Sequence, residues 1–153
     1  MVSLAGDRLL AIIATQNEIA TTALDMEAVM RLVVRQARRL LGAAAAVVEL
    51  LDGEEIVYCV AAGSAEPLVG LSLPAHSSLS GLCVEQGEML YSADTRDDER
   101  VDRKSCESIG AVSMACAPLR DAGRVVGVLK IYDLRPEAFD EADLETLLLL
   151  TKR

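Results

Sequence analysis

The sequence predicts an α+β domain built on an antiparallel sheet, with helices packed on one face and loops over the other. Three observations carry this. Two pairs of strand-like apolar runs are each joined by a tight-turn sequence, amphipathic helical stripes flank them, and 153 residues suit a single hydrophobic core. Hydrophobic residues make up 52% of the chain, enough apolar surface to offset the entropy of ordering it. With no Trp and one Phe, Phe139, that core must be largely aliphatic, and base-stacking platforms for nucleic acid are not expected.

The elements follow in order. Between residues 7 and 23 the apolar positions Leu9, Ile12, Ile13, Ile19, Ala20 and Ala23 fall at helical spacing, interrupted by Gln16. A second helix is expected from Asp25 as N-cap, with Val29, Leu32, Val33, Ala37, Leu40 and Leu41 on one face and Gly42 ending it. Its Arg35, Arg38 and Arg39 read as a solvated face. Strand-like runs at 45–51 and 56–62 are joined by Asp52-Gly53, a turn pair that tolerates positive φ. After a stretch rich in Gly, Pro and Ser come a short helix at 78–85 stopped by Gly87, a short strand at 89–92, and a loop then helix over 94–109. Runs at 112–119 and 124–132 form a second hairpin around Asp121-Ala122-Gly123, and Asp140 with Asp143 three residues on caps a last, leucine-rich helix.

The net charge of −9 repels phosphate backbones and anionic lipid, which disfavours nucleic-acid and membrane-surface partners. The longest segment without formal charge, 67–84, is broken by Pro74 and by glycines and serines, so no spanning helix is expected. The start lacks a secretory pattern, because Asp7 and Arg8 interrupt it, and a cytoplasmic setting follows as the expectation. Cys59, Cys83, Cys106 and Cys116 form no C-x-x-C pair, and His76 stands alone, so no metal or other cofactor is predicted. Cys59 and Cys116 sit in apolar strands and read as small buried hydrophobes.

Three stretches resemble the GAF family. They are Ser78-Leu-Ser-Gly-Leu-Cys83-Val-Glu-Gln-Gly87, the block 94–103, and Ser113-Met-Ala-Cys-Ala-Pro118-Leu followed by Gly123-Arg-Val-Val-Gly127-Val-Leu; Phe139-Asp-Glu-Ala-Asp143 matches the family's entry into its final helix. The similarity covers roughly residues 25 to 150. It implies a six-stranded antiparallel sheet with a ligand cavity on one face and the terminal helices, where dimers commonly form, on the other. It further implies a sensory module without catalysis of its own, divided as a connecting and dimerising helix at 1–24 and the domain proper at 25–153. Such a module would pass a signal from a bound small molecule, through a homodimer, to a C-terminal output domain such as a diguanylate cyclase or histidine kinase.

Strand alternation in 125–133 puts Val128, Lys130 and Tyr132 on one face and Leu129 with Ile131 on the other. If the helices cover Leu129 and Ile131, Lys130 and Tyr132 face the ligand side, with Met114 and Cys116 from the preceding strand. An ammonium there favours an anionic effector, and Lys130→Ala is then expected to weaken it without disturbing the fold. The bland reading is a solvated lysine whose stem covers the sheet. Asp94, Asp98, Arg100 and Asp102 resemble the family's loop over the cavity, or are a solvated mixed-charge run. His76 lines the cavity mouth or merely occupies a turn.

The Asn-Lys-Phe-Asp-Glu signature of cyclic-nucleotide-binding members is missing, and Cys106 is followed by Glu107, not the His that marks bilin attachment. The competing class is an enzyme, the free methionine-R-sulfoxide reductase. Cys83 falls where that family has Gly-Val-Cys-Gly, and Cys106 lies close to its His-Ile-Ala-Cys-Asp cysteine. Against it, no His precedes Cys106, Lys130 and Tyr132 replace the family's Asp-Ile-Asp pair, and the pocket-wall Trp is lacking.

Overall fold

The computed structural model describes residues 16–152, with side chains from 26 onward. Helix α1, Gln16–Leu41, runs unbroken through Asp25, so the helix start expected there is not found. The segment contains neither Gly nor Pro, and one Asp inside a helix costs only about 0.7 kcal/mol relative to Ala, too little to end a long backbone ladder. The part of the predicted 7–23 helix that precedes Gln16 lies outside the described residues.

The face of α1 also differs from expectation. Val34, Ala37 and Leu41 are buried with Met30 and Val33 packed beside them, whereas Val29, Leu32 and Leu40 are each about half exposed. The apolar arc is therefore wider than the sheet can cover, and one edge of it faces outward. Arg35, Arg38 and Arg39 are exposed, as a solvated face requires.

Six strands form one sheet: β1 Ala45–Asp52, β2 Glu55–Gly63, β3 Ser72–Pro74, β4 Leu90–Ser92, β5 Ser113–Asp121 and β6 Arg124–Asp133. Their spatial order is β3-β2-β1-β6-β5-β4, and every pair is antiparallel. This is the predicted α+β fold. The residue pattern had not revealed β3, a three-residue edge strand ending in Pro74, where a missing N–H is tolerated.

Two cores sandwich the sheet. On one face Leu129, Ile131, Ala115 and Val48 pack against α1 and the last helix, α4, Glu141–Leu150. The other face carries Val47, Val128, Tyr132, Met114 and Cys116 beneath α2, Leu79–Gln86, and α3, Arg103–Ile109. The alternation of β6 is as expected. Helix α4 begins on the capping box that Asp140 and Asp143 announce.

A bulge between Val48 and Glu49 decides which β2 residues face which core. Val48 pairs Val60, but Glu49 pairs Tyr58, leaving Cys59 as the extra residue. Simple alternation from Val60 would send Tyr58 toward the helices; the bulge turns it to the opposite face, beside Glu49.

Helix α2 is pinned close to the preceding loop. Ser78 caps it by accepting from the Gly81 N–H, and a Cβ at Gly81 would collide with the Ala75 carbonyl oxygen. Helix propensity alone predicts that Gly81→Ala stabilises the protein by about 1 kcal/mol. The close approach predicts the reverse, a loss of roughly 1–3 kcal/mol, which urea denaturation resolves by sign.

Candidate functional site

On the sheet face opposite α1 and α4, a small cavity opens between the strands, α2 and the 94–109 segment. Glu49, Tyr58, Met114 and Lys130 form its floor, Leu79 and Ser80 of α2 one wall, and Val101, Asp102 and Cys106 its cover. Its volume of about 30 Å³ accommodates a water molecule or two.

The floor is an ion pair. Lys130 Nζ donates to Glu49 Oε2 at 3.1 Å and to the Tyr58 hydroxyl at 2.7 Å, and Ser80 Oγ donates to Glu49 Oε1 at 2.6 Å. Glu49 is 1% exposed and Lys130 3%, so neither charge is offset by solvent. Burial alone would lower the Lys130 pKa, but the Glu49 carboxylate overrides it and holds the ammonium above its ordinary value. Burial pushes the Tyr58 phenol up to about 12, although Lys130 pulls the other way. An ammonium has three protons to give, and Lys130 gives two within the described residues; Tyr58, accepting from Lys130, keeps its own hydroxyl proton to offer.

Of the residues singled out from sequence, Lys130 and Met114 line the cavity, as does Cys106. Lys130 is not the solvated lysine of the bland reading. Its burial against Glu49 also revises the expectation that losing it leaves the fold undisturbed. Tyr132, Cys116 and Cys83 are buried in the same core layer. Cys83 Sγ donates to the Cys116 carbonyl at 3.5 Å, and the Cys116 thiol lies 3.6 Å from Ser80 Oγ. Burial, then the Glu49 charge, pushes Cys83 up to about 12; burial also raises Cys106 and Cys116. All four cysteines are free, and Cys59 is half-buried on the helix side.

Asp94 caps the turn Thr95–Asp97 and binds Arg96, which holds its carboxyl down at about 2. Asp98 is gripped by Arg100, whose Nη2 also donates to the Tyr91 carbonyl at 2.7 Å, so these residues build the cover's own scaffold. His76 sits exposed in a turn, 3.1 Å from Glu54. Glu49 and Tyr58 were missed. An acid in the middle of the apolar strand Ala45–Asp52 was a readable sign, but the bulge that brings Tyr58 to it was not. Among the described residues no His, Cys, Asp and Glu cluster could hold a metal, and no helix is long and apolar enough to cross a membrane.

The family model described as GAF domain matches residues 23–152. No curated protein matches the chain. Among solved structures it is similar to the blue-light absorbing form of the PixJ GAF-domain of Thermosynechococcus elongatus, with 13% identity over 92% of this chain and 86% of that one and a TM-score of 0.74. The second GAF domain of DevS from Mycobacterium smegmatis is 22% identical over 82% of this chain and 87% of its own, with a TM-score of 0.66. The free methionine-R-sulfoxide reductase of Neisseria meningitidis, solved with its substrate, is 22% identical over 80% and 71%, with a TM-score of 0.68. At these identities the likeness shows the fold.

Removing one partner of a buried ion pair strands the other. Lys130→Ala is therefore expected to cost about 3–5 kcal/mol in chemical denaturation, and the double variant Glu49→Leu/Lys130→Met to recover much of that loss. Tyr58 and Cys83 hold their protons more tightly folded than unfolded. Their contribution to stability is complete below the unfolded values of 10.0 and 9.0 and is lost as pH rises toward about 12. A melting-temperature profile level near neutral pH and falling steadily above pH 9.0 is the expected result.

Proposed function

The chain belongs to the GAF domain family, and from that premise we propose that it is a non-catalytic sensor whose cavity binds a small molecule. The observation that carries this reading is the buried Glu49–Lys130–Tyr58 cluster, which faces a cavity under a distinct cover. Such a cluster contributes little net stability compared with apolar packing, which suits a role in recognition. Lys130 and Met114 are the proposed ligand contacts. Tyr132, Cys116 and Cys83 form the layer that holds them in place, and Asp94 anchors the cover.

The route outward is proposed to be the pair α1 and α4 on the opposite face, in a homodimer and toward an output domain of the diguanylate cyclase or histidine kinase kind, in a cytoplasmic signalling protein. Residues 1–24 are the proposed connecting segment, and their described part is continuous with α1. Support comes from Val29, Leu32 and Leu40 of α1 and Leu149 of α4, large apolar residues left at least half exposed. Tyr91 touches both faces: its carbonyl accepts from Arg100 of the cover, and its ring meets Phe139, just before α4, edge-on at 6.4 Å.

A second reading, sulfoxide reduction through Cys83 and Cys106, draws on the place of Cys106 in the cavity wall. The raised pKa of both thiols weighs against it, because the thiolate is the attacking species. Two measurements test the proposal. Light scattering should give a dimer for the wild type and a monomer for Leu32→Asp/Leu40→Asp; a wild-type monomer well above micromolar concentration removes the dimer. Incubation with methionine sulfoxide and a thiol reductant should give no turnover, and turnover that vanishes in Cys106→Ser would replace the sensor with the enzyme.

A further inference from the structure

The cavity's charge balance narrows what it can bind, and this step rests on the sensor reading above. Glu49 already neutralises Lys130, and Asp102 of the cover adds a second carboxylate to the lining. An anion entering would meet two negative groups, one of them fully buried, and one positive group that is already paired. A cation would have to shed its water beside the Lys130 ammonium. Neither charge sign is well received.

The hydrogen-bonding capacity left over is specific. Lys130 has a third Nζ proton and Tyr58 its hydroxyl proton, so one edge of the floor donates. Beside it, Glu49 accepts one bond at each oxygen, and a carboxylate has about four acceptor positions, so the adjoining edge still accepts. A donor edge next to an acceptor edge is the complement of a carbonyl beside an N–H. The remaining walls, including Leu73, Leu79, Val101 and Met114, are apolar.

We propose that the cavity recognises an uncharged molecule carrying an amide-like group, a primary amide, lactam or ureide, whose carbonyl accepts from Lys130 and Tyr58 and whose N–H donates to Glu49. A volume of about 30 Å³ holds little more than that polar head. The body of a larger molecule is then accommodated by displacement of the 94–109 cover. This replaces the anion expected from Lys130 alone, because the lysine is read together with the acid that faces it.

Three probes of nearly equal shape separate the possibilities: butyramide, butyrate and butylammonium, titrated into ¹⁵N-labelled protein while the backbone resonances of Tyr58, Met114 and Lys130 are followed. Butyramide should shift these resonances with an affinity at least about tenfold above that of either ion. In Glu49→Gln, where the ammonium loses its partner, butyrate should overtake butyramide. Butyrate matching or exceeding butyramide on the wild type overturns the neutral-ligand inference and leaves the cavity a ligand site. If none of the three moves these resonances, the cavity reading and the inference fall together. Because the wild-type comparison decides on its own, a Glu49→Gln variant that does not fold leaves the outcome intact.

Discussion

A lysine and a glutamate meet across adjacent strands with almost no exposed surface, and much of the ligand-side architecture answers that constraint. An isolated charge in such surroundings costs several kcal/mol, so the two groups need hydrogen-bond partners beyond each other. Ser80 meets one carboxylate oxygen and Tyr58 meets the ammonium. The placement of α2 serves the first requirement: the helix that carries Ser80 to Glu49 lies with Gly81 tight against the Ala75 carbonyl. The bulge in the β1–β2 pair serves the second.

The fold was legible because its signals are local and mutually consistent. Turn sequences at Asp52-Gly53 and Asp121-Ala122-Gly123, the cap at Asp140, and the stop at Gly87 each act within a few residues, and the structure keeps them all. The helix boundary at Asp25 failed for the complementary reason. A cap residue permits a helix start but does not impose one, and nothing after it interrupts the ladder.

The site was half legible. Alternation placed Lys130 and Met114 on the correct face, but its meaning depended on Glu49, 81 residues away, and on Tyr58, 72 residues away. Reading Lys130 without them made it an available cation. Pairing between distant strands, and the register irregularity that controls it, is information the local pattern does not contain. The outward edge of α1 has the same origin: periodicity identified an apolar arc but could not say how much of it the sheet would cover.

The bulge also bears on how such a site can change over time. Deleting one residue of β2 on the hairpin side of Tyr58, such as Val57, would restore regular alternation from Val60, set Cys59 opposite Glu49 and so exchange a phenol for a thiol beside the ammonium, with no ligand-touching position substituted. Specificity at this floor is thus partly stored in strand length. Insertions and deletions within Glu55–Gly63, normally regarded as damage to a scaffold, become a route by which one backbone acquires a different chemical preference.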